Sequence, residues 1–381
     1  MMLFRDAKTV VCFLLLLILF PWTAFATAAD EKEPSSQKKP QYSTQIYYIV
    51  IDGLQGSALK QAQAPNINGV ASSGIRINYA IPVFPPSVEA SVASLLTGSE
   101  PSLHKFPGKE LAGTTILDLL HKKKLKVGFW DGTGRLKPLA KGGSYRKVEG
   151  DDKAVIKAAI EDIKKDKPYF SLIVLDDLRK ILDNSGPNSQ AYLKALTQTD
   201  NNVGILLHYL HQEGVFEQSL VVIAGTTGKP PVIIKGPRFK CGATLPPISL
   251  IDVAPTIANL LGEKMLDASG LVLWNAFDPG SFQDGLYLME QRIKDLSNAH
   301  VLAFEKIHQL LRDKKEVEEE QKRIAREKEN TTRAIEERDA KIAHLEQKIN
   351  FLKIVILVLI VLFTCGYFAE YRYLRKKFLL F

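Results

Sequence analysis

The chain has 381 residues, 46% hydrophobic and 24% charged, a composition that folds and a length that suits one large domain with appendages. Its formal charge of +8 is dispersed over a lysine-dotted domain and a charged helix, with no aromatic-interleaved basic groove, which argues against nucleic acid as a partner. Of the three cysteines, Cys12 and Cys365 fall in apolar terminal segments, so the body holds Cys241 alone and forms no intrachain disulfide; a lone buried thiol is the expectation there.

At the N-terminus, Arg5 and Lys8 precede the apolar run Val10 to Phe20, and the small-residue sites Ala24-Phe25-Ala26 and Ala26-Thr27-Ala28 follow. That layout predicts a secretory signal peptide over residues 1–26, with an uncleaved anchor as the alternative. Residues 27–45 are polar and proline-bearing, a disordered tether with nothing to bury. From residue 46 to 280, short apolar runs alternate with amphipathic stretches. Strands are predicted at Ile46–Ile51, Val127–Trp130, Phe170–Leu175, Ser219–Ala224 and Pro231–Lys235. Helices are predicted near Thr115–Leu125, Lys153–Lys165, Ser189–Gln212 and Pro255–Leu261. Apolar runs without alternation, separated by helices, predict an α/β domain: a mostly parallel sheet with helices on both faces.

Residues 288–352 lack proline, are densely charged and repeat in sevens. One row runs through Ile293, His300, Ile307, Lys314, Gln321, Lys328, Ile335, Ile342 and Ile349, and a second lies three residues after each. The register holds for nine heptads with 12 of 18 seam positions apolar, which predicts a coiled-coil stalk. Ile342 and Ile349 at a, with Leu345 and Leu352 at d, favour a parallel homodimer. A single charged helix is the alternative, because Lys314, Gln321 and Lys328 make the middle of the seam polar. Asn330-Thr331-Thr332 is a glycosylation sequon in a eukaryotic secretory pathway. Residues 353–370 read as a transmembrane helix and 371–381, with Arg372, Arg375, Lys376 and Lys377, as a basic cytoplasmic tail. The expectation is a single-pass type I membrane protein whose main domain lies outside the cytoplasm.

The stretch Ser219 to Pro237 reads as two strands joined by Gly225-Thr226-Thr227-Gly228. A turn beyond a strand end is where open α/β sheets place their chemistry, yet this one holds two hydroxyls and no carboxylate or imidazole. Taken with "IYYIVIDGL", "APNINGVASSGIRINYAIPVFPPSVEASVASLLTGSEPSLHK", "TDNNVGILLHYLHQEGVFEQSLVVIAG", "PVIIKGPRFKCG" and "ISLIDVAPTIANLLG", the chain resembles the alkaline phosphatase superfamily, in its type I phosphodiesterase and sulfatase-like branch.

That resemblance implies two divalent metals, usually zinc, held by aspartates and histidines, with a serine or threonine nucleophile between them. Asp52 matches a metal-binding aspartate. The nucleophile position falls on Val88, which has no hydroxyl, with Ser87 one residue away and otherwise a turn or helix-cap residue. Asp176 and Asp177 stand near a second ligand position as relic ligands or strand-end caps, with Arg179 and Lys180 where a histidine is expected. Thr226 and Thr227 replace an aspartate and a histidine. No histidine remains for the site: His300, His308 and His344 lie in the stalk, His121 beside lysines, and His104 outside the ligand set. His208 and His211 form a surface or half-buried helical pair without a third ligand.

The degenerate positions Val88, Thr226 and Thr227 predict a catalytically inactive pseudoenzyme, a membrane-bound binding or assembly module with an unidentified protein partner and no cofactor. The alternative is an active phosphodiesterase, phosphatase or sulfatase-like hydrolase, with zinc or another divalent metal on Asp52, Asp176 or Asp177 and Ser87 as nucleophile. A third possibility makes the stalk and anchor the working part and the head a spacer or receptor.

Overall fold

The computed structural model describes residues 45–378. The signal peptide expected over 1–26 and nearly all of the tether expected over 27–45 lie outside those residues. The described chain divides into two units, the boundary falling between Leu296 and Ser297.

The first unit begins with β1 (Ile46–Ile51), α1 (Pro65–Ser72), β2 (Ile75–Ile77), β3 (Ala80–Ile81), α2 (Val88–Thr97) and α3 (Pro101–His104). It continues with α4 (Ile116–Lys122), β4 (Val127–Asp131), β5 (Ser144–Lys147), α5 (Asp152–Asp166), β6 (Phe170–Leu175), α6 (Asp177–Ser185) and α7 (Gln190–Gln212). β7 (Leu220–Gly225), β8 (Val232–Lys235), β9 (Ala243–Leu245), β10 (Ile248–Ser249) and α8 (Val253–Leu260) close it.

Eight strands form one sheet in the order β5-β4-β6-β1-β7-β8-β2-β9, and only β8 runs antiparallel to its neighbours. Every residue of β1, β6 and β7 is buried, as a sheet covered on both sides requires. Alternation along β1 sends Tyr48 and Val50 into one core, beside α2, α4 and α8. Tyr47, Ile49 and Ile51 enter the other, beside α1, α5 and α7. The sheet is therefore mostly parallel with helices on both faces.

Local signals start the helices. Thr115 accepts the Asp118 N–H while Asp118 accepts the Thr115 N–H, a capping box that opens α4. Asp151 and Ser189 accept N–H groups from Ala154 and Tyr192 at the starts of α5 and α7. The sequence reading passes over α1, α2 and α6. The short α1 offers little periodicity, α6 places Leu178, Ile181 and Leu182 at helical spacing over too few residues to stand out, and α2 is buried nearly all round, so it shows little polar face.

Cys241 corrects an expectation: it is exposed, not buried, with Sγ 3.6 Å from the Ser72 carbonyl. It stands in the turn before β9, and the adjoining Lys240 and Gly242 carry no apolar side chain to cover it.

The second unit is the body of α9 (Phe282–Phe378), a continuous helix of 97 residues whose described side chains beyond Ala299 are all exposed. Among the described residues, α9 alone is long and apolar enough to cross a membrane. The uncharged stretch Ile354 to Ala369, with Phe351 and Leu352 ahead of Lys353, carries that composition.

Candidate functional site

The parallel register builds the site. Ile51 lies opposite Leu175 of β6 on one side and Gly225 of β7 on the other. The next residue of each strand, Asp52, Asp176 and Thr226, therefore emerges at the same edge of the sheet, the carboxyl end where α/β proteins bind ligands.

Asp52 is buried, and its Oδ1 accepts a short hydrogen bond from the Thr226 hydroxyl. Thr226 Oγ1 in turn accepts the Gly53 N–H at 3.4 Å. Burial pushes the Asp52 carboxyl above its ordinary range, against the Thr226 hydrogen bond and the charges of Arg179 and Arg135, while Asp176 adds repulsion. Thr227 Oγ1 accepts from Arg179 Nη1 at 2.7 Å, and Arg179 Nε reaches Asp183 Oδ2 at 2.8 Å. The guanidinium is thus held on Thr227 and Asp183, its charge acting on Asp52.

The turn carrying these threonines is fixed from below. Gln55 Nε2 donates to the Thr227 carbonyl at 2.8 Å and Gln55 Oε1 accepts the Lys229 N–H at 2.9 Å. Ser91 Oγ donates to the Thr226 carbonyl at 2.9 Å. Gly53 adopts φ +85°, and a Cβ there would lie 2.9 Å from the Arg179 Cα, so glycine lets the Asp52 turn approach α6. Gln55 and Ser91 were not legible as site residues, since neither belongs to a charged or metal-binding pattern.

Ser87 caps α2: its Oγ accepts the Ala90 N–H at 3.0 Å. Val88 is buried in the core beneath α2. Nearby, Arg135 pairs with Glu89 at 2.9 Å.

Asp176 and Asp177 come together with a third carboxylate, Asp152, with one oxygen from each within 4.8 Å of the others. Asp152 is buried; its Oδ1 accepts the Asp176 and Asp177 N–H groups at 3.1 and 3.2 Å, and Thr199 donates to its Oδ2 at 3.4 Å. Asp177 Oδ2 returns the favour by accepting the Asp152 N–H at 2.7 Å. Lys180 bridges Asp176 and Asp177 at 3.2 and 3.0 Å. The group joins the starts of α5 and α6. Sequence reasoning missed Asp152; the paired Asp151-Asp152 ahead of a helix was the available signal.

His104 is buried, 3.0 Å from Ser94 Oγ through Nε2, and accepts the Phe106 N–H through Nδ1, so both ring nitrogens are engaged. His208 and His211 are exposed on α7, and His211 stacks on Phe216 with centroids 4.0 Å apart. Neither approaches Asp52 through any hydrogen bond among the described residues.

Residues 47–133 and 121–236 match the family model described as type I phosphodiesterase/nucleotide pyrophosphatase. Among solved structures, murine ectonucleotide pyrophosphatase/phosphodiesterase 5 is similar at TM-score 0.54 and 10% identity, over 62% of this chain and 100% of that one. Its human counterpart matches with the same values. An inactive variant of the murine protein in complex with AMP matches at TM-score 0.53 and 10% identity, over the same shares. No curated protein sequence matches the chain. The head belongs to the alkaline phosphatase superfamily, in the branch of type I phosphodiesterases and nucleotide pyrophosphatases.

That family is normally zinc-dependent, and the residues at the Asp52 edge do not fit a zinc pair. Zinc is held by thiolate, imidazole and carboxylate donors. Here Asp52 bonds the Thr226 hydroxyl and the neighbouring Thr227 hydroxyl bonds the Arg179 guanidinium, with no imidazole bonded to the group among the described residues.

Proposed function

We propose that the head is a catalytically silent member of its superfamily, working as a binding or assembly module at a membrane. The observation that carries this reading is the Arg179–Thr227 and Thr226–Asp52 pair of hydrogen bonds. A chain-borne cation and two hydroxyls occupy the strand ends where the family's chemistry needs dications. In this reading residues 46–280 form the head and 288–352 the stalk, while 353–370 anchor it and 371–381 face the cytoplasm. Export by a signal peptide places the head outside the cytoplasm, and the stalk pairs two copies.

The test uses the purified ectodomain. Less than 0.1 zinc per chain (an order-of-magnitude threshold) and no turnover of nucleotide phosphodiester, phosphomonoester or sulfate ester are expected. Stoichiometric zinc with hydrolysis that disappears on Asp52→Ala overturns it. AMP, the ligand of the murine relative's complex, is the first binding probe to add.

One observation favours a second reading. The Asp152, Asp176 and Asp177 carboxylates are close enough to share a cation. A hydrolase with one metal there would lose both metal and activity on Asp176→Asn, while Thr226→Val would leave them unchanged.

A further inference from the structure

The seam of α9 is exposed along the stalk, with Ile307, Leu310, Val317, Ile324, Ile335 and Ile342 open to solvent, and its charges bear on how a second copy lies on it. This rests on the parallel-dimer reading proposed above and goes further, to the register and the contacts that set it. Three seam positions carry cations: Lys314 and Lys328 at a, Arg338 at d. Each has an acid as immediate sequence neighbour: Asp313, Glu327 and Asp339. Adjacent residues on a helix do not face each other, so these pairs cannot close within one chain. Among the described residues Lys328 and Arg338 make no ion pair, and Lys314 reaches only Glu318, at 3.7 Å on an exposed face.

A second copy changes this. In a parallel coiled coil an a side chain enters a hole bordered by the partner's preceding g residue, and a d side chain one bordered by the following e residue. Asp313 and Glu327 are g residues and Asp339 is an e residue in this register. Each cation therefore meets the acid one number away on the other helix, twice per layer by symmetry. An antiparallel arrangement sets a layers against d layers and separates all three pairs, and a slip of one heptad leaves acids (Glu320, Glu346) beside Lys314 and Arg338 but sets Lys328 against Ala334 and the Ile307 layer against Lys314. Asn330 falls at c, away from the seam, where a glycan is compatible with pairing.

We infer that two copies of α9 pair parallel and in register, locked by reciprocal Asp313–Lys314, Glu327–Lys328 and Asp339–Arg338 contacts between chains. The apolar layers on either side, Ile307 with Leu310 and Ile342 with Leu345, supply the attraction; the charged layers select the partner's direction.

The test uses the full chain in detergent micelles. Mass by light scattering gives two copies. Glu327→Lys or Lys328→Glu alone weakens association about tenfold or more by placing like charges across the seam, and the double swap restores it to within about threefold. With Cys12, Cys241 and Cys365 changed to Ser, Ile342→Cys oxidises to a disulfide-linked pair in high yield, whereas Lys348→Cys at g does not. A mass of one copy overturns the dimer reading and this inference together. A mass of two with no response to the single changes, no rescue by the swap, or no Ile342→Cys crosslink leaves the dimer and overturns the register. Circular dichroism confirms that each variant keeps its helix.

Discussion

Thr226 donates its hydroxyl to Asp52 across 174 residues of sequence, and so joins the ends of β7 and β1. Both side chains are buried, and the same hydroxyl oxygen also receives the Gly53 N–H. The bond ties two strand ends together at the carboxyl edge of the sheet. Thr226→Val keeps the shape and removes the donor, leaving a buried carboxylate with one partner fewer. The expected loss is about 1–3 kcal/mol in urea unfolding. Adding Asp52→Asn should recover much of it, because a neutral amide tolerates the vacancy better. An unchanged midpoint for Thr226→Val means the pair holds nothing together.

The head should acquire zinc affinity when the ligands are rebuilt. Thr226→Asp, Thr227→His and Arg179→Ala together place two carboxylates and an imidazole at adjoining strand ends and remove the guanidinium. Three such donors make an open zinc site. The triple variant should retain about one zinc per chain after dialysis, and Arg179→Ala alone almost none, because hydroxyls remain poor donors. If the native head holds as much zinc as the triple variant, the strand ends never lost their metal.

Much of this was legible in residues 46–280. The strands Ile46–Ile51, Phe170–Leu175 and Ser219–Ala224 declare themselves because fully buried parallel strands are unbroken apolar runs. The edge strand β5, Ser-Tyr-Arg-Lys, is mostly exposed and carries no such run. The threonine pair was also readable, since strand and turn locate Thr226 and Thr227 without coordinates. What those threonines bond to was not. Arg179 looked like a cation that repels metal, but its bond to Thr227 depends on how closely α6 approaches the β1 turn, which Gly53 permits. The Asp152 group likewise draws on two helix starts 25 residues apart.

In the proposed reading Val88 stands at the nucleophile position, and it offers a test of whether a hydroxyl there is what the head lacks. Its side chain is buried in the core beneath α2. Val88→Thr adds the family's hydroxyl at almost constant volume but places it among apolar neighbours. A loss of about 1–2 kcal/mol is expected, with no gain in phosphodiester hydrolysis. Activity from this single change would mean that a working metal site is already present.

Asp152 makes the stability of the head depend on pH. Burial, and next the negative charge of Asp177, push its carboxyl up to about 7, with hydrogen bonds from the Asp177 and Asp176 N–H groups opposing. Unfolded, the group titrates near about 4. Below about pH 4 both states are protonated and the group costs nothing. Between there and about pH 7 the folded chain holds a proton that the unfolded chain has released, so stability falls as pH rises, and levels off above. The groups facing it are Asp176, Asp177 and Thr199, with Lys180 on the far side of the first two. Asp152→Asn keeps an oxygen for both N–H groups and never ionises. Urea midpoints from pH 4.5 to 8 (chosen to bracket the window by about a unit) should fall less steeply for the variant than for the native head. The comparison is of the two slopes, since Asp52 and Asp252 are raised by burial as well and tilt both curves alike. Parallel curves would place the proton elsewhere and leave Asp152 ionised within its ring of N–H donors.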